Sequence, residues 1–435
     1  MDYGGENRNE ESVTICQGEI QDKNIIDYRI YLKTPMICKS SEGNQARSQN
    51  FIEGSEVLGM IAGVMGNRAF QEMMEGRSAA KMNELVVSNA YIECGGRRCH
   101  PVSASLQKVK DQMFEKTGNQ EQMEVCDMLT AEGVAEQLTP VGLAYMTEDG
   151  VVKGVSTEIH YHHSGPKDKS VGRADGGGDS AFYQLESIRE GQSFRGYIMA
   201  DRTQAEQIIE AFRKMKNTRM GYGKNAEYGG VRISIENIRK ADERKQKPDI
   251  RQDFVVRLDS PVILYNKNGI PASDVEVFRE CLAEILKSED LVLEDCFLRY
   301  ETIGGFNVTW RRRKPVFTTL GRGTVCRFHS EKGADVSALE DYFVGERVSE
   351  GYGEVKVLKI PEERCVLRKS AKEDGAARSK ERTSILSDFR RERAIKDLEE
   401  EARLAAHKGR DYYAKGDNNA VIGRLILMER RFLQG

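Results

Sequence analysis

The sequence is short of most features that settle a protein's class at a glance. It has one tryptophan and nine prolines in 435 residues. No apolar run approaches the roughly 18 residues of a membrane span. The opening Met-Asp-Tyr-Gly-Gly-Glu is polar and reads as no signal peptide. No membrane partner is therefore expected. The nine cysteines are odd in number and scattered. Cys94 and Cys99 are close, but no second pair stands at metal-ligand spacing. They read as reduced thiols of a cytoplasmic protein. Gly221-Tyr-Gly-Lys224 lacks the spacing of a Walker motif and the Ser or Thr after its lysine. No Gly-x-Ser-x-Gly turn is present to carry a nucleophile, and no cofactor is expected.

The net charge of −3 gives no overall basic character. It conceals an asymmetry: Arg364 to Gly435 carries 18 basic and 12 acidic residues, +6, leaving −9 for the rest. A basic end can attract nucleic acid or an acidic partner, although a mixed-charge helix face has the same composition.

Glycine is plentiful, 41 residues, and its placement organises the chain. Arg219-Met-Gly-Tyr-Gly-Lys-Asn-Ala-Glu-Tyr-Gly-Gly230 leads into the alternating run Val231, Ile233, Ile235, a strand with one buried face. Such a loop can hold a phosphodiester on its N–H groups and stack bases on its rings. It can equally be a glycine-rich hairpin that holds nothing. Gly345-Glu-Arg-Val-Ser-Glu-Gly-Tyr-Gly-Glu-Val-Lys-Val357 aligns with it without gaps, pairing Gly221 with Gly345, Tyr228 with Tyr352 and Gly229 with Gly353. Upstream, Leu32-Lys-Thr-Pro-Met-Ile37 matches Leu258-Asp-Ser-Pro-Val-Ile263. Between these landmarks each copy has a strand and then a helical stretch: Ser193–Ala200 with Gln204–Met215, and Thr324–Phe328 with Val336–Phe343. The repeat predicts one α+β unit used twice, the first copy enlarged by an insertion.

The strand–helix–strand–strand–helix–strand order is that of a ferredoxin-like, or RRM-like, fold. Strands are expected at Ser12–Cys16, Asp27–Ile37, Glu84–Glu93, Glu158–His163, Asp253–Leu264 and Leu291–Ile303. Helices are expected after the N-caps Ser55 and Ser273, and over Ser105–Asp127. Lys240–Lys247 reads as a linker. The resulting division is 1–240, a first ferredoxin-like domain with its insertion; 241–362, a second; and 363–435, a charged tether with a C-terminal helical hairpin.

The candidate RNA contacts are Arg219, Gly221, Gly223, Lys224, Tyr228 and Gly229 in the first loop, and Arg347, Tyr352 and Gly353 in the second. Arg311, Arg312, Arg313 and Lys314 join them; four cations beside the only tryptophan fit either an exposed charged hairpin or a phosphate contact. His160 and His162 share one face of a strand and His163 the other. They fit a partial metal site, an acid–base site for RNA cleavage, or plain structural and RNA contacts. No fourth metal ligand is evident, and neither a metal nor a catalytic residue is assigned.

In this order the landmarks resemble the RAMP superfamily of CRISPR effector subunits, most closely the Csx-ten family, the Cas-five-like subunit of type III-D complexes. Four stretches carry the likeness: Thr34-Pro35 with Ile52–Gly59; Phe182–Ile198, containing Gly191-Gln-Ser-Phe-Arg-Gly196; the first glycine loop; and Gly304–Pro315 with Gly323–Phe328. The terminal hairpin lies outside it. The resemblance implies a non-catalytic subunit that holds the 5′ end of the guide RNA. Its implied partners are the large Cas-ten-type subunit and the backbone subunits. Lys39–Asn50 contains no Asp, where related target-cutting subunits place one. A guide-processing endoribonuclease of the same superfamily and a structural adaptor without RNA contact are the rival readings.

Overall fold

The computed structural model describes residues 23–370, except 40–46, 76–84, 118–119, 133, 135, 143, 165–180, 216–217, 225–226, 241–247, 308–310 and 341. Two compact units are distinguished, 1–371 and 372–435. The expected C-terminal hairpin, the strand expected at Ser12–Cys16 and most of the expected linker lie outside the described residues.

The first sheet is antiparallel. Lys23–Leu32 runs between Val231–Lys240 and Ser193–Asp201, and the latter continues to Tyr91–Cys94. In chain order this is 4-1-3-2. Helices Gly54–Met65 and Arg202–Lys214 supply the other layer. Alternation in Ser193–Asp201 sends Phe194, Ile198 and Ala200 into the core between the layers, where Tyr28, Ile30, Ile208 and Phe212 meet them. Helix Arg202–Lys214 starts on a capping box: Asp201 accepts from the Gln204 amide, and the Gln204 side chain accepts from the Asp201 amide.

The second sheet repeats the plan. Ile250–Leu258 lies between Val355–Leu358 and Val325–Asp335, with Val292–Phe297 outside the latter, again 4-1-3-2. Helix Val275–Leu286 and the short 3-10 turn Val336–Leu339 pack on it through Phe278, Leu282, Val336 and Leu339. The chain is thus α+β, with two sheets of one strand order.

Several local expectations are corrected. Ser105–Asp127 is not helical but forms strands Leu106–Val109, Glu115–Thr117 and Gln120–Asp127. Met123 and Val125 are buried at the two-residue spacing of a strand, and the stretch lacks the apolar stripe a helix needs. The caps fall beside the expected serines: Glu53 precedes the first helix, and Asp274 caps the later one. Where a helix is expected over Val336–Phe343, the described residues form the 3-10 turn Val336–Leu339 and a bridge from Phe343 to Glu354.

Residues 100–153 supply seven strands of an eight-stranded sheet with its own small core, which includes Val102, Leu106, Met123, Val125 and Val152. Arg364–Lys369, read from sequence as tether, is an inner strand of that sheet. It pairs antiparallel with Gln120–Asp127 and parallel with Val151–Lys153, and buries Leu367. The insertion is closed by chain that follows the last strand of the second sheet.

A buried polar seam joins the parts. Both oxygens of Glu354 accept from the Arg98 guanidinium at 2.7 Å, and Tyr197 Oη donates to the same carboxylate at 2.9 Å. The Arg98 guanidinium lies over the rings of Tyr91 and Tyr197. Tyr91 Oη donates to the Asp259 carbonyl, and Arg257 Nε donates to the Asp259 carboxylate at 2.6 Å. Among the described residues no helix is long and apolar enough to cross a membrane.

Candidate nucleic-acid interface

The two glycine loops share four equivalent hydrogen bonds. Met220 N donates to Gly229 O, and Val344 N to Gly353 O. Gly229 N donates to Pro35 O, and Gly353 N to Pro261 O. Tyr222 N donates to Ile37 O, and Glu346 N to Ile263 O. Gly230 N donates to Thr34 Oγ1, and Glu354 N to Ser260 Oγ, both at 2.8 Å. Each loop folds back on the segment after its domain's first strand, which is why the Leu-x-x-Pro-x-Ile stretches recur with the loops.

This geometry states what the glycines are for. Gly229 and Gly353 have φ of +75° and +91°, and a Cβ there would stand 1.9 Å and 2.2 Å from the carbonyl oxygens of Met220 and Val344. Only glycine permits both the conformation and the approach. The amides of Met220, Tyr222, Gly229 and Gly230 are committed within the protein. The expected phosphate cradle cannot use those four; side chains and the remaining loop amides are what an RNA could reach.

The tyrosines are enclosed. Tyr228 and Tyr352 are only 3% and 5% exposed, so their rings as placed do not offer a face to a base. Each is covered by a β-hairpin that precedes the third strand of its unit. Thr157–Ser164 pairs with Ala181–Ile188, and Tyr300–Ile303 with Phe317–Leu320. The hairpins dock alike, through bridges Met36–Ile188 and Val262–Leu320. The turns after them dock alike too, with Gly191 N donating to Leu32 O and Gly323 N to Leu258 O. The repeat therefore includes a hairpin that no sequence match announces, because its inward residues differ. Tyr352 meets Ile303 and Phe317, while Tyr228 meets histidines.

Tyr228 Oη lies 2.6 Å from His162 Nε2, and the His160 ring meets Tyr228 edge-on at 5.5 Å. His160 and His162 thus share one face, and the side chain of His163 lies outside the described set. Burial, and then the neighbouring Glu227 carboxylate, push the Tyr228 hydroxyl up to about 12, so it is protonated at neutral pH. His160 Nε2 is 3.2 Å from Glu158.

The cations divide. Arg347, left-handed at φ +58°, donates to Glu350 at 2.6 Å and lies over the Tyr352 ring, and Lys314 donates to the same carboxylate oxygen at 2.6 Å. Burial works to raise the pKa of Glu350, but these two donors outweigh it and hold the pKa below the ordinary carboxylate value. Arg311, Arg312 and Arg313 are exposed, Arg312–Arg313 pairing with Phe306–Asn307, and none of the three forms an ion pair with a described residue. Lys224 is exposed, and its carbonyl accepts from Arg219 at 3.4 Å. The structure brings Arg347, Tyr352 and Lys314 together around Glu350, which sequence reasoning missed. It gathers the first-loop residues separately, around Tyr228.

Among described residues the group with metal-ligand potential is elsewhere, at Asp253, Glu294 and His329 on the second sheet. All three of its members are already engaged across strands, His329 with Asp253 at 2.9 Å and Glu294 with Arg327 at 2.8 Å.

No protein-family profile and no curated protein matches the chain. Solved structures do. The chain is similar to a subunit in the cryo-EM structure of the type III-B Cmr-beta bound to cognate target RNA and AMPPnP. Identity there is 11% and the TM-score 0.40, over 69% of this chain and 86% of that one. The same assembly bound to cognate target RNA gives 12% and 0.38 over the same shares. A Cas6 product complex gives 9% and 0.33, over 77% of this chain and 99% of that one. All three likenesses are distant in sequence and in superposition.

Proposed function

We propose that this chain is a non-catalytic, cytoplasmic RNA-binding subunit of a type III CRISPR effector complex, of the Csx-ten kind. It has two tandem ferredoxin-like domains, holds the 5′ end of the guide RNA and contacts the large subunit in antiviral defence. One observation carries the reading: two 4-1-3-2 sheets whose glycine loops are tied to the segment after the first strand and closed by the same four hydrogen bonds, in the order of motifs the RAMP superfamily is known by. The side chains best placed to meet phosphates are Arg311, Arg312, Arg313, Arg219 and Lys224, on the exposed surface. The test is RNA binding across a salt series. Arg311→Ala/Arg312→Ala/Arg313→Ala should weaken binding and flatten the salt slope by about 2, at roughly 0.7 per single-strand phosphate contact. An unchanged slope removes the hairpin from the RNA path.

One contact favours a second reading, guide-processing cleavage: the His162–Tyr228 pair at 2.6 Å, with His160 beside it, has the makings of an acid–base couple. Purified chain incubated with labelled repeat RNA in chelator separates the two. The first reading expects no cleavage, and His160→Ala/His162→Ala/His163→Ala leaving target cleavage by the assembled complex intact.

A further inference from the structure

A cavity of about 400 Å³ opens where the first sheet, the inserted sheet and the second sheet meet, and none of the expected RNA-contacting residues lines it. Its size falls in the range of small-ligand sites. Six basic and five acidic side chains face it. Arg98, Arg257 and Arg251 are closed off by Glu354, Asp259 and Asp249 in the wall itself. Arg97 and Arg239 take their partners, Asp149 and Asp27, from outside the wall. Lys356 is exposed and pairs with no described residue. Glu148 and Glu340, exposed in the same wall, form no ion pair with a described residue either, so Lys356 is the wall's one cation without a described partner and the place where an anion could be held.

The floor offers something different. His100 forms part of the wall and is 6% exposed. Its Nδ1 lies 3.1 Å from the Pro101 carbonyl, which can only accept, so Nδ1 carries the proton and Nε2 is a bare lone pair. That Nε2 is buried and has no hydrogen-bond partner. Buried acceptors are almost always paired, and an orphan in a cavity wall calls for a donor from a ligand. Burial, and then Arg257, push the ring down to about 4, so it stays an acceptor at neutral pH. Tyr342, half-buried, adds an aromatic face.

We propose that this cavity binds a ribonucleotide: phosphate at the Lys356 rim, a sugar hydroxyl or base amine donating to His100 Nε2, and the base against Tyr342. The nucleotide is either free or one unit of an RNA chain. Calorimetric titration of the purified chain tests this, with the four ribonucleoside 5′-monophosphates and with a short single-stranded RNA. Saturable binding of a monophosphate is expected. It should weaken about tenfold in His100→Phe, the loss of one hydrogen bond, and lose salt dependence in Lys356→Ala, a surface change that leaves folding intact. Binding of the RNA but of no monophosphate assigns the cavity to a chain unit, provided Lys356→Ala weakens it. The triple arginine substitution at 311–313 should leave monophosphate binding unchanged, so failure of the guide-RNA reading and failure of this one are distinguishable. No saturable binding of either probe at about 10 mM, or binding indifferent to both substitutions, overturns the proposal.

Discussion

At the scale of single residues, space and protonation set the outcome. Gly229→Ala and Gly353→Ala each force a side chain into positive φ, at about 1–3 kcal/mol, and into a carbonyl oxygen, which adds to the cost. Gly59 and Gly63 are the contrast. They lie in helix Gly54–Met65 with open space at Cβ, so alanine there should gain up to about 1 kcal/mol each. Urea denaturation measures all four, and equal effects would mean the loop geometry is not what the glycines serve. His100 gives a pH signature. Unfolded, its ring titrates near 6.5; folded, at about 4. Its contribution is complete above about 6.5 and is lost as pH falls towards 4, where the unfolded chain binds a proton the folded chain refuses. That is on the order of 2–4 kcal/mol. Glu56 acts oppositely. Burial, and then Glu53, raise its carboxyl to about 8, so stability is undiminished at acid pH and lost as pH rises through 8. Stability should peak between the two. His100→Phe should flatten the acid limb and Glu56→Gln the alkaline limb of a melting-temperature profile.

At the scale of elements, the polar seam and the two hairpins matter most. The Arg98–Glu354 pair is buried and shares its carboxylate with Tyr197. Arg98→Met leaves Glu354 charged and stranded, which should cost about 3–5 kcal/mol. Removing both charges together, with Glu354→Leu, should cost well below the sum of the single changes. A double-mutant cycle by chemical denaturation reads this directly, and additivity would refute the coupling. The hairpins dock identically but differ in filling, apolar over Tyr352 and histidine-rich over Tyr228. Tyr228→Phe keeps the ring and removes the hydroxyl facing His162, so about 1 kcal/mol of stability should go with RNA affinity unchanged. A large loss of affinity without loss of stability would return Tyr228 to the RNA surface.

At the scale of the whole molecule, the position of Arg364–Lys369 redraws where the folded unit stops. Truncation after Pro361 removes an inner strand and its buried Leu367, leaving Gln120–Asp127 and Val151–Lys153 unpaired on that side. The product should aggregate or lose its cooperative melt. Truncation after Ala371, at the boundary between the two compact units, should leave a soluble core with one cooperative transition. If that core is then excluded from the assembled complex, residues 372–435 are an assembly element; if it aggregates, they stabilise their own chain.

The sequence by itself determined the repeat. Close backbone approach admits only glycine and a buried strand face admits only alternation, so Gly229 and Gly353, Pro35 and Pro261, and Val231 and Val355 mark equivalent places without any coordinates. The two-layer α+β plan and the shared face of His160 and His162 followed from the same local rules. Tertiary structure alone decided the rest. Whether Tyr228 and Tyr352 face a base or a core depends on hairpins whose inward residues have diverged to histidine in one copy and isoleucine and phenylalanine in the other, so no repeated letters betray them. That Leu106–Val109 and Gln120–Asp127 are strands depends on partners, one of them about 240 residues away at Arg364–Lys369. The cavity at His100 has walls drawn from three sheets. Periodicity reports what a segment does with its own neighbours; burial by a distant segment leaves no mark in either sequence until the two are brought together.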